Sequence, residues 1–317
     1  MDTLAVVLQK PETLELSRVD LVAPGAEDVV VDIEWSGIST GTEKLLWTGR
    51  MPMFPGMGYP LVPGYESVGR IAAVGASSTH KVGTRVFVPG SRGFKDVRGL
   101  FGGAAKKLVV AGDKALPFDE SWGEQGVLLA LAATAYRVFA PQGADAPLVR
   151  PDLIVGHGVL GRLIARIAVA TGTDAPTVWE TNAQRASGAV GYAVVDPEKD
   201  ARRDYKNICD VSGDASLLDR LVQRLAPGGE IVLAGFYAAP IQFAFAPAFM
   251  REARLRISAE FKPADLSAVQ KLVESGRLSL DGLVTHRQSA DTASDAYRTA
   301  FDNADCLKMV LDWRNVA

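Results

Sequence analysis

Leu153-Ile154-Val155-Gly156-His157-Gly158-Val159-Leu160-Gly161 is a short apolar run that breaks into G-x-G-x-x-G and resumes as a helical pattern up to Thr171. The order strand, glycine turn, helix predicts a βα unit whose turn receives a dinucleotide. Gly156 permits the tight turn. Gly158 lets a pyrophosphate reach the backbone at the helix N-terminus, where the first N–H groups, those of Val159, Leu160 and Gly161, have no helical partner. Gly161 lets helix and strand pack closely. Glu180 ends the next predicted strand, about 20 residues on, where a carboxylate accepts hydrogen bonds from ribose hydroxyls and repels a 2′-phosphate. NAD is therefore favoured over NADP, although Arg185 is placed to pair a phosphate. His157 lies inside the fingerprint, either against the pyrophosphate or turned away from it.

Outward from this unit the pattern alternates. A helix is expected over Glu124–Phe139 and strands over Leu148–Val155, Thr177–Glu180, Asn207–Val211, Glu230–Gly235 and Leu255–Glu260. Helices fall at Gly158–Thr171, Ser216–Leu225 and Pro263–Ser275. Such alternation predicts an α/β fold with a doubly wound parallel sheet over 123–282. Ser212-Gly213 and Gly235-Phe236 end strands at the carboxyl edge of that sheet, where ligands bind. Residues 1–122 read differently. Short apolar strands at Leu4–Leu8, Asp28–Trp35, Gly64–Val74, Thr84–Pro89, Ala105–Val110 and Lys114–Pro117, punctuated by Gly and Pro, suggest a partly closed β-barrel or sandwich. The tail, 283–317, offers a strand, a helix over Ala293–Asp302 and a strand over Lys308–Asp312, and is expected to return to the first domain.

Composition narrows the function. The 317 residues carry a formal net charge of -3, so no basic field exists to hold nucleic acid. Two cysteines and three histidines exclude a four-cysteine zinc lobe and suit a reducing cytosol. The most apolar stretch, Val127–Tyr136, is far shorter than the roughly 20 residues a bilayer span needs. The N-terminus MDTLAVVLQK has no signal-peptide pattern, so a cytoplasmic protein is expected. Trp47, Met51, Met53, Phe54 and Met57 crowd a loop-like stretch. They are either local core or an adaptable apolar binding surface.

Three segments carry a family resemblance: Trp35-Ser36-Gly37-Ile38-Ser39-Thr40-Gly41-Thr42-Glu43, Val62-Pro63-Gly64-Tyr65-Glu66-Ser67-Val68-Gly69 and Val82-Gly83-Thr84-Arg85-Val86. With the central glycine fingerprint, the chain resembles the medium-chain dehydrogenases/reductases over its whole length. The resemblance implies a GroES-like β-rich catalytic domain beside a Rossmann domain. Zinc enzymes of that superfamily place a ligand cysteine and a ligand histidine where this chain has Ser39 and Tyr65, so the resemblance is to a zinc-free branch. Gly37–Trp47 and Gly58–Glu66 are most similar to the hydroxyethyl bacteriochlorophyllide dehydrogenase family of bacteriochlorophyll synthesis in purple photosynthetic bacteria. That family is taken to oxidise a hydroxyethyl substituent of a chlorin-type ring to acetyl with a nicotinamide cofactor.

The resemblance implies that Ser39, Thr40, Tyr65 and Glu66, with Glu43 and Lys44 nearby, supply the polar groups a metal-free alcohol oxidation needs. It implies Thr134 near the nicotinamide and Lys308 either near the pyrophosphate or in a surface salt bridge. Trp47, Met51, Phe54 and Met57 would form one wall of a slot for the flat substrate. Phe236, Tyr237, Phe243, Phe245, Phe249 and Met250 would form a second wall or a homodimer contact. A location at the periphery of the photosynthetic membrane fits the same substrate. A zinc-free quinone or enoyl reductase and a non-catalytic dinucleotide-binding regulator share these features and stand as alternatives.

Overall fold

A computed structural model describes residues 1–140, 148–172 and 174–316. The chain divides into two compact units, Met1–Ala130 with Leu280–Ala317, and Leu131–Ser279.

The first unit is built on β1 (Asp2–Lys10), β2 (Thr13–Asp20), β3 (Asp28–Ile38), the short helix α1 (Thr42–Trp47), β4 (Leu61–Val62), β5 (Ser67–Val74), β6 (Arg85–Val88), β7 (Arg98–Gly99), β8 (Lys107–Ala111) and β9 (Leu116–Pro117). The sequence reading passed over β2. Its turn at Pro11–Glu12 carries no glycine, and Glu12 itself adopts the left-handed conformation, φ 60°. β3 organises the unit. Its branched run Val29, Val30, Val31 and Ile33 is buried, and it pairs antiparallel with both β5 and β8.

The second unit follows a 3-10 stretch, Glu120–Leu128, and contains most of α2 (Leu129–Arg137). The single helix expected over Glu124–Phe139 is therefore two elements. Gly126 packs so tightly on Phe118 that a Cβ would come within 2.7 Å of its ring, which holds the first of them to the β-rich unit. Then come β10 (Leu153–Val155), α3 (Val159–Thr171), β11 (Thr177–Trp179), β12 (Ala193–Val195), β13 (Tyr205–Asp210), α4 (Leu218–Arg224), β14 (Leu225–Leu233), α5 (Phe245–Met250), β15 (Arg254–Ile257) and α6 (Pro263–Glu274). The strand expected from Leu148 begins only at Leu153. The sheet order is β12-β11-β10-β13-β14-β15 with every pair parallel. This is the doubly wound order, and its direction of progression reverses between β10 and β13, which places a ligand crevice at their carboxyl ends.

The tail supplies β16 (His286–Ser289), α7 (Ala293–Asp302) and β17 (Met309–Asp312), and β17 pairs antiparallel with β3. Ile38 lies opposite Met309, and Ser36 opposite Ser67. The end of β3 is thus flanked by the starts of β5 and β17, so residues 39, 66 and 308 converge although they are distant in sequence.

Candidate active site

In the second unit the glycine loop has the geometry its spacing predicts. Gly156 turns the chain with φ at +104°, which only glycine adopts freely. A Cβ on Gly161 would lie 1.9 Å from the Gly156 carbonyl oxygen, so helix and turn touch there. A Cβ on Gly158 would meet nothing within 4 Å, and this N-cap makes no side-chain cap hydrogen bond. The start of α3, with Val159 and Leu160, is an open, uncapped helix N-terminus, the kind of cradle that fits a pyrophosphate.

Glu180 closes one side of this loop. One oxygen accepts the His157 backbone N–H at 3.0 Å and the other the Asn182 N–H at 2.8 Å. The carboxylate is half-buried, and each oxygen retains a lone pair for a ribose hydroxyl. The His157 side chain faces inward: its ring nitrogens meet the Arg185 carbonyl at 2.6 Å and the Tyr192 hydroxyl at 2.8 Å. Burial pushes its imidazole below the usual range. His157 thus offers the loop its backbone rather than its ring. Arg162, buried in α3, donates to the carbonyls of His157, Arg185 and Ser187, tying the loop that carries Arg185 to the fingerprint. From sequence alone Arg162 is a charged residue inside an otherwise apolar helix, with nothing local to mark these partners.

Ser212, Gly213, Gly235 and Phe236 come together at the sheet edge. A Cβ on Gly235 would lie 3.1 Å from the Gly213 nitrogen, and one on Gly156 would lie 3.5 Å from Ser212. Buried Asp210 holds this corner. It accepts the Ser212 N–H at 2.8 Å and the Tyr237 hydroxyl at 2.9 Å, and burial pushes its carboxyl up. The Tyr237 hydroxyl is thus committed to Asp210. Thr134 is half-buried on α2.

In the first unit the converging strand ends build a polar cluster. The Tyr65 hydroxyl donates to Ser39 Oγ at 2.7 Å, and burial pushes the phenol up, keeping it a proton donor. Tyr65 stands edge-on to Phe101, with ring centroids 5.5 Å apart. Glu66 is wholly buried and meets Lys308 Nζ at 2.6 Å. Lys308 also donates to the Ile38 carbonyl at 3.0 Å. The expected salt bridge of Lys308 is present but buried rather than on the surface, because the segment entering β17 carries it beneath the end of β3. Gly37 makes room for the acid, since a Cβ there would lie 2.2 Å from Glu66 Oε2. Glu66 Oε1 is buried without a hydrogen-bond partner.

Behind Ser39, Glu43 accepts the Ser39 N–H at 2.9 Å and the Tyr297 hydroxyl at 2.6 Å. Burial pushes the Glu43 carboxyl up to about 7. Tyr297 escaped the sequence reading: its only signal was a tyrosine on the buried stripe of α7. Thr40 is half-buried and takes no part in these hydrogen bonds, while Lys44 Nζ reaches the Phe301 carbonyl at 2.7 Å.

The metal-ligand positions of the zinc enzymes do not fit zinc here. Zinc prefers thiolate, imidazole or carboxylate. This chain offers a hydroxyl, a phenol that burial keeps protonated, and a carboxylate already engaged by an ammonium. Among the described residues, no three His, Cys, Asp or Glu side chains group as a metal set.

Trp47, Met51, Phe54 and Met57 do share one apolar cluster, with Leu8, Leu46, Leu61 and Leu100. Met51 is core, while Trp47, Phe54 and Met57 are half-buried and Met53 is exposed. Trp47 also packs on Phe301 of α7, centroids 6.2 Å apart. In the second unit Phe243, Phe245, Phe249 and Met250 are exposed, beside Leu255 and Ile257 of the edge strand β15.

Comparison with known proteins agrees with this anatomy. Residues 25–120 match the alcohol dehydrogenase GroES-like domain. The chain is 56% identical over 316 residues to the 2-desacetyl-2-hydroxyethyl bacteriochlorophyllide A dehydrogenase of Rhodobacter capsulatus, covering 99% of each chain. It is 54% identical to the enzyme of the same name from Cereibacter sphaeroides, covering 100% of each. A solved alcohol dehydrogenase of Escherichia coli CFT073, complexed with NADH, shares the fold at a TM-score of 0.81 and 22% identity, over 98% of this chain and 99% of its own. The chain belongs to the 2-desacetyl-2-hydroxyethyl bacteriochlorophyllide A dehydrogenase family, GroES-like alcohol dehydrogenases with a Rossmann-type second domain.

Proposed function

We propose that this chain oxidises the hydroxyethyl side chain of a bacteriochlorophyllide to an acetyl group, using NAD+ and no metal ion. The overall change is R–CH(OH)–CH3 + NAD+ → R–CO–CH3 + NADH + H+. Bound NAD+ supplies the hydride acceptor. The chain's own tasks are to bind the dinucleotide, hold the carbinol oxygen and seat the macrocycle.

The observation that carries the proposal is the Tyr65–Ser39 hydroxyl pair, at the positions where the resemblance implies that zinc enzymes of the superfamily place ligands. Because Tyr65 donates to Ser39 Oγ, the Ser39 hydroxyl proton is available to the substrate oxygen. A donor chain of this kind orients the alcohol and stabilises charge developing on it. Hydride loss leaves positive character on a carbon attached to a conjugated ring, which delocalises it. Positioning then supplies much of the rate without a Lewis acid. The buried Glu66 Oε1 has the capacity to take a proton. Trp47, Phe54 and Met57 form the wall against which the macrocycle lies, with Met51 as its backing.

In the second unit Gly156, Gly158, Val159, Leu160 and Gly161 hold the pyrophosphate. Glu180 takes the ribose hydroxyls, which favours NAD over NADP. Ser212, Gly213, Gly235, Phe236 and Thr134 line the nicotinamide end, and Arg185 borders the adenosine end. The exposed apolar edge formed by α5 and β15 supports a homodimer, since such an edge is otherwise a liability.

The test is turnover of hydroxyethyl bacteriochlorophyllide with NAD+, followed by the absorption shift on acetyl formation. Ser39→Ala and Tyr65→Phe should each lower kcat by about tenfold or more. Loss of turnover in a folded Glu66→Gln variant assigns proton acceptance to Glu66. Unchanged turnover in that variant assigns the rate to positioning.

A further inference from the structure

Glu43 is wholly buried, and the reaction proposed above makes no use of it. Its two oxygens reach in opposite directions. One takes the main-chain N–H of Ser39, and the other takes the hydroxyl of Tyr297 on α7, 254 residues along the chain. Tyr297 is itself fixed edge-on to Phe301, centroids 5.7 Å apart, and packs on Trp47 at 6.5 Å. Ser39 is the residue that follows the last residue of β3, Ile38. The Glu43 carboxylate holds the Ser39 N–H where the strand ladder stops, while the Ser39 carbonyl accepts the Glu43 main-chain N–H at 3.1 Å. The titratable groups that face Glu43 are Tyr297 of α7, Tyr65 and Glu66 from the segment entering β5, and Lys308 from the segment entering β17.

Burying a carboxyl is costly unless both oxygens find donors. A purely space-filling role at this point would be met by an apolar side chain. The acid is placed instead where one group joins the Ser39 backbone to the C-terminal helix. We infer that Glu43 is a positioning residue for the alcohol-binding pair. With Tyr297 it fixes the Ser39 main chain, so that Ser39 Oγ meets the Tyr65 hydroxyl on one side and the substrate oxygen on the other. This rests on the proposed role of the Ser39–Tyr65 pair. Glu43 touches neither substrate nor cofactor.

The experiment uses the full chain labelled with 13C at tyrosine Cζ, with the Tyr65 resonance assigned by Tyr65→Phe. Its shift reports the hydrogen bond to Ser39 whether or not substrate is turned over. Glu43→Ala should move the Tyr65 resonance and lower kcat by about tenfold, with KM and NADH affinity within about twofold of the parent. Glu43→Gln keeps an acceptor for the Ser39 N–H, and should restore the resonance and recover kcat to within about threefold. Tyr297→Phe, which keeps the ring, should move the resonance in the same direction by less and covers the case in which Glu43→Ala does not fold. An unmoved Tyr65 resonance in either folded variant overturns the inference. Failure of the wild-type chain to oxidise hydroxyethyl bacteriochlorophyllide would overturn the proposed function instead, and the resonance would still decide the role of Glu43.

Discussion

Glu180 and Glu66 are both carboxylates at the ends of strands, yet the two units hold them in opposite ways. Glu180 is half-buried and its partners are backbone N–H groups of an open loop. Glu66 is wholly buried, its partner is the side chain of Lys308, and a glycine is required beside it. A carboxylate held by backbone amides at a surface can share its lone pairs with a ligand at little cost. A carboxylate locked to an ammonium in the interior is committed to the fold, and any chemistry it performs is bound up with stability. The first unit thus uses Glu66 and Glu43 to shape a small polar site, whereas Glu180 in the second unit stays available to a ligand.

The largest test of this contrast is Lys308→Met. Removing one partner strands the Glu66 charge in the interior, and the expected loss is about 3–5 kcal/mol of unfolding free energy in urea. A loss below about 1 kcal/mol would show that Glu66 is not locked. The matching change at Glu180 should leave stability nearly unaltered.

A second test follows from Glu43. Its carboxyl is raised from an ordinary 4.5 to about 7 in the folded chain, chiefly by burial. The native state therefore binds its proton more tightly than the unfolded chain does. This contribution to stability is present below the unfolded value and is lost as pH rises through about 7. Between pH 5 and pH 8 the wild type should lose on the order of 2 kcal/mol relative to Glu43→Gln, read from urea midpoints at the two pH values. Parallel pH profiles would contradict the assignment. Tyr297→Phe removes a hydrogen bond that lowers the Glu43 value, so the transition should move to higher pH.

Smaller effects are expected in the dinucleotide unit. Gly158→Ala meets no atom within 4 Å, so the protein should unfold as the parent does. The added methyl occupies the cradle, and NADH should bind about tenfold more weakly, some ~1.4 kcal/mol. Glu180→Gln should narrow the preference for NADH over NADPH by about tenfold in fluorescence titrations, again with stability unchanged. A stability loss in either variant would erase the contrast drawn above.

The same contrast explains what the sequence disclosed. The dinucleotide loop depends on backbone shape, and Gly156, Gly158 and Gly161 write that shape into a local pattern. Ser39, Tyr65 and Glu66 were legible only through resemblance, because they lie where related enzymes keep ligands. Tyr297 and Lys308 were out of reach in their true roles. Their partners lie 254 and 242 residues away, and only the pairing of β17 with β3 brings them together. Arg162 was hidden for a related reason: an arginine in an apolar helix reads as an interruption until its three carbonyl partners are seen.

The most direct test of the central claim is turnover by metal-stripped protein. Chain purified through chelator would be mixed with NAD+ and 2-desacetyl-2-hydroxyethyl bacteriochlorophyllide a, while NADH and the acetyl product are followed together. The account predicts equal amounts of NADH and acetyl product at an undiminished rate. Absence of NADH, or a rate restored only by added zinc, would contradict it.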